Sequence, residues 1–199
     1  MDKDIQFFTN TDGDAIAYTR FGRGPLLVVP PGWVSHLSQQ WELPGVKEFF
    51  TKLARHHTLL IFDKHGTGLS NRNRTDFSLE KDVRDLEGLI EAVDAERFSV
   101  FGYSMGGPLA VLYAARNPDR IDRLILYGTF AEGGVVSREG VKTSMISLVR
   151  ASWGMGRACC PGSLFRTVPG TRMQSRKSAP FSASRQALKR RQTSWNCSI

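Results

Sequence analysis

The 199-residue sequence has no cysteine before Cys159, no histidine after His65 and no acidic residue after Glu139. It contains no CxxC pair and no spaced set of cysteines and histidines, so we expect neither a disulfide framework nor a bound metal ion or other cofactor. No apolar run approaches the ~18 residues of a membrane span. The N-terminal MDKDIQFF has no basic segment followed by an apolar one. We therefore predict no signal peptide, no membrane partner and a cytoplasmic location.

The charge is distributed unevenly along the chain. Residues 1–140 contain 16 Lys and Arg and 19 Asp and Glu, whereas residues 141–199 contain 11 Lys and Arg and no acidic residue. The formal net charge of +8 therefore arises in the C-terminal part. Charge without a recognisable nucleic-acid fold gives only non-specific, salt-sensitive attraction, so we predict no specific nucleic-acid partner. The basic residues 189–191 near Trp195 leave RNA or membrane-surface binding as an alternative for this tail.

Short apolar runs alternate with amphipathic stretches up to about residue 156. A strand is predicted for each apolar or alternating run, at residues 15–21, 26–29, 58–62, 98–101 and 124–127. Helices are predicted at residues 46–55, 78–93 and from the serine turn to Arg116. Strands that alternate with helices of this length indicate βαβ units. The predicted fold class is therefore α/β, with a mostly parallel sheet and helices on both faces.

A serine lies between two glycines where the fourth predicted strand ends. Gly102, Tyr103, Ser104, Met105 and Gly106 match the pattern G-x-S-x-G. This spacing places the serine on a tight strand-to-helix turn, with strained backbone and a hydroxyl that is raised clear of the sheet. The following helix directs its N-terminal amides toward a developing negative charge. The pattern predicts a nucleophile; the alternative is a glycine-tight junction with an incidental serine.

Four stretches resemble, in the right order, the N-terminal two-thirds of an α/β-hydrolase-fold protein of the esterase or lactonase type: LLVVPPGWVSHLSQQW, LLIFDKHGTGLS, FSVFGYSMGGPLAVLYAARNPDRI and DRLILYGT. The resemblance implies that Ser104 is the nucleophile and that the amides of Trp33 and Met105 form the oxyanion hole. It also makes Glu132, which follows the LILY strand, a candidate acid. Pro31 stands where many members of the family have a histidine. The implied substrate is a small ester, lactone or other acyl compound.

The expected general base is missing from the family's chain order of nucleophile, acid and histidine. All four histidines precede Ser104. His65, in DKHGTG at the carboxyl end of a predicted strand, lies on the same rim as Ser104, and His36 follows the predicted oxyanion loop. Both are candidate pocket residues together with Tyr103, and either is an alternative for the missing base. Neither histidine occupies the family's position. Because a serine hydroxyl without a base is a poor nucleophile, we expect an impaired hydrolase. The alternative is a non-catalytic protein of the same fold that binds a ligand or partner.

The resemblance also implies that the sheet is incomplete at its C-terminal side. The family's sheet continues with two more strand–helix units after the LILY strand, so we expect residues 124–127 to form an exposed apolar edge that is prone to pairing. From about residue 157 the chain has no sustained period and is rich in Ser, Arg, Pro and Gly. We predict two regions, residues 1–156 as two-thirds of a hydrolase domain and residues 157–199 as a basic tail of low order. The abrupt change indicates a truncated or frame-shifted product. The sequence leaves the oligomeric state open.

Overall fold

The computed structural model of the chain describes residues 4–131, 133 and 139–151. Its six strands are β1 Ile5–Thr9, β2 Ala15–Gly22, β3 Leu26–Val29, β4 Thr58–Phe62, β5 Phe98–Tyr103 and β6 Ile121–Tyr127. Its five α-helices are α1 Leu37–Trp41, α2 Pro44–Leu53, α3 Leu79–Ala92, α4 Gly106–Arg116 and α5 Glu139–Ala151. One 3₁₀ turn, Pro118–Arg120, precedes β6. The predicted basic tail, residues 157–199, lies outside the described residues.

The strands form one mixed sheet in the order β1-β2-β4-β3-β5-β6. The neighbours β4, β3, β5 and β6 are parallel, whereas β1 and β2 join them as an antiparallel hairpin. Parallel neighbours need a crossover, and α3 and α4 supply such crossovers on the two sides of β5. The prediction of an α/β fold with a mostly parallel sheet is confirmed.

Helices cover the sheet on both faces, and each face has its own apolar core. On one face, α3 contributes Val83, Leu86 and Ile90, which are fully buried with Tyr113 of α4. On the other face, Phe50 of α2 belongs to the second cluster. These α3 residues are the ones that the helical spacing predicts to face the core. Ser78 is the N-cap of α3, because its Oγ accepts a hydrogen bond from the Lys81 amide.

Strand β2 is more deeply buried than its alternating sequence predicts. The pattern of residues 15–21 indicates a half-buried strand, but Ile16 and Tyr18 pack in one core cluster while Ala17 and Phe21 pack in the other. The prediction of a solvated face was wrong, since β2 lies between β1 and β4 inside the sheet and both of its faces are covered. Only the long side chain of Arg20 in this strand is exposed.

Strand β6 forms one edge of the sheet. It begins at Ile121, before the predicted strand of residues 124–127, so Asp122 also belongs to the strand. Among the described residues β6 pairs with β5 alone, and its last four side chains are exposed by the following fractions: Leu124 38%, Ile125 45%, Leu126 46% and Tyr127 72%. The described part of the chain contains no helix that is long and apolar enough to cross a bilayer.

Candidate active site

Ser104 occupies the junction between β5 and α4 in a strained backbone conformation. Its φ angle is 48°, in the left-handed region that residues other than glycine rarely adopt. Three hydrogen bonds hold the residue there. Its amide donates to the Tyr127 carbonyl at 3.2 Å, and its carbonyl accepts from the Gly107 amide at 3.1 Å and from Thr129 Oγ1 at 2.6 Å. The serine therefore has the strand–turn–helix setting that the sequence pattern predicts.

Two glycines allow the turn to be this tight. A Cβ atom at Gly102 would lie 2.7 Å from Ala110 Cβ, inside the contact between β5 and α4. A Cβ atom at Gly106 would lie 2.6 Å from the Pro30 carbonyl oxygen and 2.8 Å from that of Pro31. Since real Cβ atoms do not approach other atoms so closely, the first turn of α4 could not pack on residues 30–31 with any larger residue at position 106.

The predicted oxyanion loop lies directly against the serine turn. Besides the contact of residues 30–31 with Gly106, Gly32 packs under the ring of Tyr103, with 3.3 Å between its Cβ position and the ring. The fold therefore brings Trp33 and Met105, the two predicted amide donors, to the same edge of the sheet. Met105 is the N-cap residue of α4, and the N-terminal end of a helix attracts negative charge.

Aromatic side chains continue from the serine turn along one face of the sheet. Tyr103 stacks on Phe101 with 5.9 Å between ring centroids, and Phe101 lies 5.9 Å from Phe49 of α2. Tyr103 thus links the oxyanion loop to an apolar wall. Phe49 is the exposed end of this row, with 45% of its surface accessible.

The two candidate pocket histidines are engaged elsewhere. His36 caps α1, since its Nδ1 accepts from the Gln39 amide at 3.4 Å. His65 is only 4% exposed, and its Nε2 lies 3.2 Å from Asn73 Oδ1 and 3.5 Å from Asp14 Oδ2. Within the part of the chain that the structure describes, Ser104 Oγ has no hydrogen bond to a histidine or carboxylate. The candidate acid, Glu132, lies outside the described residues.

Asp63 fixes the loop that carries His65. It is fully buried, and its Oδ2 accepts from the amides of Leu37 at 3.1 Å and Leu69 at 2.9 Å. Asp63 therefore ties the start of α1 to the turn after β4. Its position after a buried strand, in a glycine-containing turn, was the only signal of this role in the sequence. Thr129, which holds the Ser104 carbonyl, was missed because nothing in its local sequence predicts a contact 25 residues away.

An ionic cluster around Lys81 packs against the loop that carries His65. Lys81 Nζ, in a side chain only 3% exposed, lies 2.6 Å from Asp85 and 2.8 Å from Asp12. Burial by itself would lower the pKa of Lys81, but hydrogen bonds to these two carboxylates raise it above its ordinary value. The Asn73 amide, which donates to Asp14 at 2.9 Å, holds the pKa of Asp14 below its usual value. The cluster joins α3 to the β1–β2 hairpin and to the His65 loop.

Known proteins share this architecture. The family model of the alpha/beta hydrolase fold matches residues 25–143. An uncharacterized protein of Mycobacterium tuberculosis is 30% identical over 148 residues, which are 74% of this chain and 41% of that protein. The cis-3-alkyl-4-alkyloxetan-2-one decarboxylase of Shewanella oneidensis is 28% identical over 129 residues, which are 62% of this chain and 38% of that protein.

One solved structure that is similar to this chain is a lactonase. The enol-lactonase of Burkholderia xenovorans superposes with a TM-score of 0.59 and 28% identity, over 73% of this chain and 57% of that one. The chain thus spans about two-fifths of the length of the curated relatives it matches and little more than half of that structure.

Proposed function

Since this chain belongs to the α/β-hydrolase fold family, we propose that it is a serine hydrolase with Ser104 as its nucleophile. The observation that carries the proposal is the strained φ of 48° at Ser104, placed between the end of β5 and the start of α4. Nothing in the packing of a strand on a helix requires a serine in that conformation. A hydroxyl presented above the sheet is useful to a nucleophile.

The proposed reaction is acyl transfer in two steps. Ser104 Oγ attacks the carbonyl carbon of an ester, its proton passes to a base, and the carbonyl oxygen becomes an oxyanion. The amides of Trp33 and Met105 donate hydrogen bonds to that oxyanion. Collapse of the intermediate expels the alcohol, which takes up the proton, and leaves an acyl group on Ser104. A water molecule then releases the acid by the same route. We assign to Glu132 the role of the acid that would orient this base.

We further propose a small cyclic or linear ester as the substrate class. Two of the proteins to which the chain is similar, an enol-lactonase and an oxetan-2-one decarboxylase, carry a cyclic ester in their names. The apolar row that leads from Tyr103 to Phe49 offers a surface for an uncharged acyl chain. A lactone keeps its alcohol and acid in one product, so little room is needed for a second leaving molecule.

We expect turnover by this chain to be slow, because no histidine follows Ser104 in the sequence. His65 and His36 already have partners in the loop cluster and at the α1 cap. Removal of one triad member leaves about 10³–10⁴-fold acceleration over water, from binding and the oxyanion hole alone. The proposal is therefore a weak, serine-dependent esterase.

Rescue by imidazole tests this proposal. We expect p-nitrophenyl acetate hydrolysis by the chain to rise at least severalfold when imidazole is added, after subtraction of the same assay with Ser104→Ala. The added imidazole would act as the missing proton acceptor. Equal rates for the wild type and Ser104→Ala, with and without imidazole, would show that Ser104 is not a nucleophile. A fast wild-type rate that ignores imidazole would show that the chain has its own base.

The second candidate is a non-catalytic binding protein of the same fold. The position of all four histidines before Ser104, with His65 bonded inside a buried cluster, favours it. Calorimetric titration with a small lactone distinguishes the two. A binding protein would retain the lactone unchanged and would bind it equally well as Ser104→Ala, whereas the hydrolase would convert it to the hydroxy acid.

A further inference from the structure

The exposed edge strand β6 has a feature that the proposed hydrolase reaction does not use. In the part of the chain that the structure describes, β6 pairs with β5 alone, and its apolar residues 124–127 are exposed on both faces of the sheet. The opposite edge, β1, is less apolar, with Phe7 as its single large exposed hydrophobic side chain. A long, exposed apolar edge is a template for pairing with another strand.

The direction of the backbone groups of β6 limits how a strand can pair there. The Tyr127 carbonyl accepts from the Ser104 amide, so it points toward β5. Because these groups alternate along a strand, those of Ile125 and Arg123 also point toward β5, while those of Leu124 and Leu126 point outward. An incoming strand must therefore bond to Leu124 and Leu126.

The side chains of β6 form a self-complementary set. Arg123, Ile125 and Tyr127 are opposite Ser99, Phe101 and Tyr103 of β5 in the parallel register, so all three lie on one face of the sheet. Leu124 and Leu126 lie on the other face. One face thus presents a cation, an aliphatic side chain and an aromatic ring at alternate positions, in that order.

We propose that β6 pairs antiparallel with β6 of a second copy of this chain, in a register centred on Ile125. Leu124 then exchanges both backbone hydrogen bonds with the partner's Leu126. Ile125 faces the partner's Ile125 across the two-fold axis, and Arg123 lies opposite the partner's Tyr127. Each copy thus places a guanidinium against a phenol ring, an arrangement that is favourable for both partners.

Other registers of the same pairing fit less well. If the two-fold axis lay between two residues, an outward-pointing backbone group of one copy would lie opposite an inward-pointing backbone group of the other. A centre at Leu124 places Arg123 opposite an isoleucine, and a centre at Arg123 places two arginines face to face, which is unfavourable. A centre at Leu126 moves Arg123 beyond the strand of the partner. The interface is isologous, so it closes as a dimer rather than growing into a fibre.

Sedimentation equilibrium of the full chain tests the pairing. We expect a monomer–dimer equilibrium that Tyr127→Ala weakens about tenfold through loss of both cation–ring pairs, and that Ile125→Asp abolishes. The matched control is Phe7→Asp on β1, which we expect to leave the equilibrium unchanged. Circular dichroism would show that each variant is folded. A chain that is monomeric at high micromolar concentration, or whose association responds equally to Phe7→Asp, would overturn the proposal.

Disulfide trapping tests the register. In a chain that carries Cys159→Ser, Cys160→Ser and Cys197→Ser, we expect Ile125→Cys to form a covalent dimer when oxidised glutathione takes up the thiol electrons and protons. Leu124→Cys in the same background lies off the axis and should form at least tenfold less of the dimer. Equal crosslinking at both positions would contradict the proposed centre at Ile125.

Discussion

Ser104 shows at the scale of one residue how local strain and surrounding packing depend on each other. A left-handed backbone costs a non-glycine residue about 1–2 kcal/mol. The cost is met by contacts that arise far apart in the sequence: the Tyr127 carbonyl, the Thr129 hydroxyl and the residues 30–31 against Gly106. The orientation of the hydroxyl is therefore set by β6 and the oxyanion loop as much as by the G-x-S-x-G sequence.

The prediction for Gly106→Ala follows from this packing. The added methyl group would lie within 2.8 Å of two carbonyl oxygens, so the loop that carries Trp33 must move away from α4. We expect the imidazole-rescued esterase rate to fall at least tenfold and the protein to lose about 1–3 kcal/mol of stability. Ester hydrolysis and urea denaturation measure the two effects.

Gly45→Ala is the matched control for that substitution. Gly45 lies in the first turn of α2, and a Cβ atom there would have nothing within 4 Å. We expect no change in rate and a gain in stability of about 0.5–1 kcal/mol. If Gly106→Ala behaved like Gly45→Ala, the oxyanion loop would not be coupled to the serine turn.

The sequence predicts part of the candidate site, residue by residue. Ser104, Gly102 and Gly106 were identifiable because their pattern is local, within five consecutive residues. The positions of His65 and Thr129 were not, because each depends on a partner that the chain brings close only after folding. A buried histidine and a pocket histidine look the same in sequence.

At the scale of elements, α3 shows that a helix can bury charge as well as apolar surface. Lys81, Asp82 and Asp85 are all buried, although only the apolar positions of this helix are predicted to face the core. They join α3 to the β1–β2 hairpin through Lys81 and to the His65 loop through the contacts of Asp82 with Lys64 and Arg74. Charge patterns along a single helix contain no information about these partners.

We expect Lys81→Met to be strongly destabilising. The substitution leaves Asp85, which is 4% exposed, buried without its cation, and breaking a buried ion pair costs about 3–5 kcal/mol. Urea denaturation followed by circular dichroism measures the loss. Lys52→Met, in an exposed pair with Glu48, is the control and should change stability by less than about 0.5 kcal/mol. Similar losses for the two variants would contradict the assignment of Lys81 to a buried cluster.

Acid should weaken the contacts by which Asp14 holds the His65 loop. The hydrogen bond from Asn73 lowers the pKa of Asp14 in the folded chain below its unfolded value. The folded state therefore binds fewer protons, and the stabilisation is present above the unfolded pKa and is lost as the pH falls through the folded one. Between about pH 5 and pH 3 the wild type should lose more stability than Asp14→Asn.

The urea midpoint at these two pH values checks the prediction. Asp119→Asn, in the turn before β6, makes the same change in net charge at an exposed position and serves as the control. The same acid-dependent loss in the wild type and in Asp14→Asn would show that Asp14 does not contribute to it.

The elements of the fold were predictable where one pattern dominates. Strands β3 and β4 are continuous apolar runs, and α3 has a clear helical face. The short helix α1 was not predicted, because its five residues contain too little periodicity to be recognised. Helix α5, Glu139–Ala151, was also not predicted from the sequence.

At the scale of the whole molecule, the described part of the chain combines a well-formed serine turn with a sheet edge, β6, that pairs on one side only. The family match ends at residue 143, and the chain spans 41% of its Mycobacterium relative. The N-terminal strands, the serine turn and the oxyanion loop are all present on this part of the fold. The sequence predicts a mostly parallel sheet but not the order of its strands, because it does not specify which parallel strands become neighbours.

The proposed role of Ser104 as a reactive nucleophile is tested most directly by the intact mass of the full chain after incubation with a fluorophosphonate. We predict the slow gain of one phosphonyl group, with loss of fluoride, in the wild type and no gain in Ser104→Ala. Gly45→Ala should be labelled like the wild type. An unchanged wild-type mass after prolonged incubation, or the same gain in Ser104→Ala, would contradict the claim.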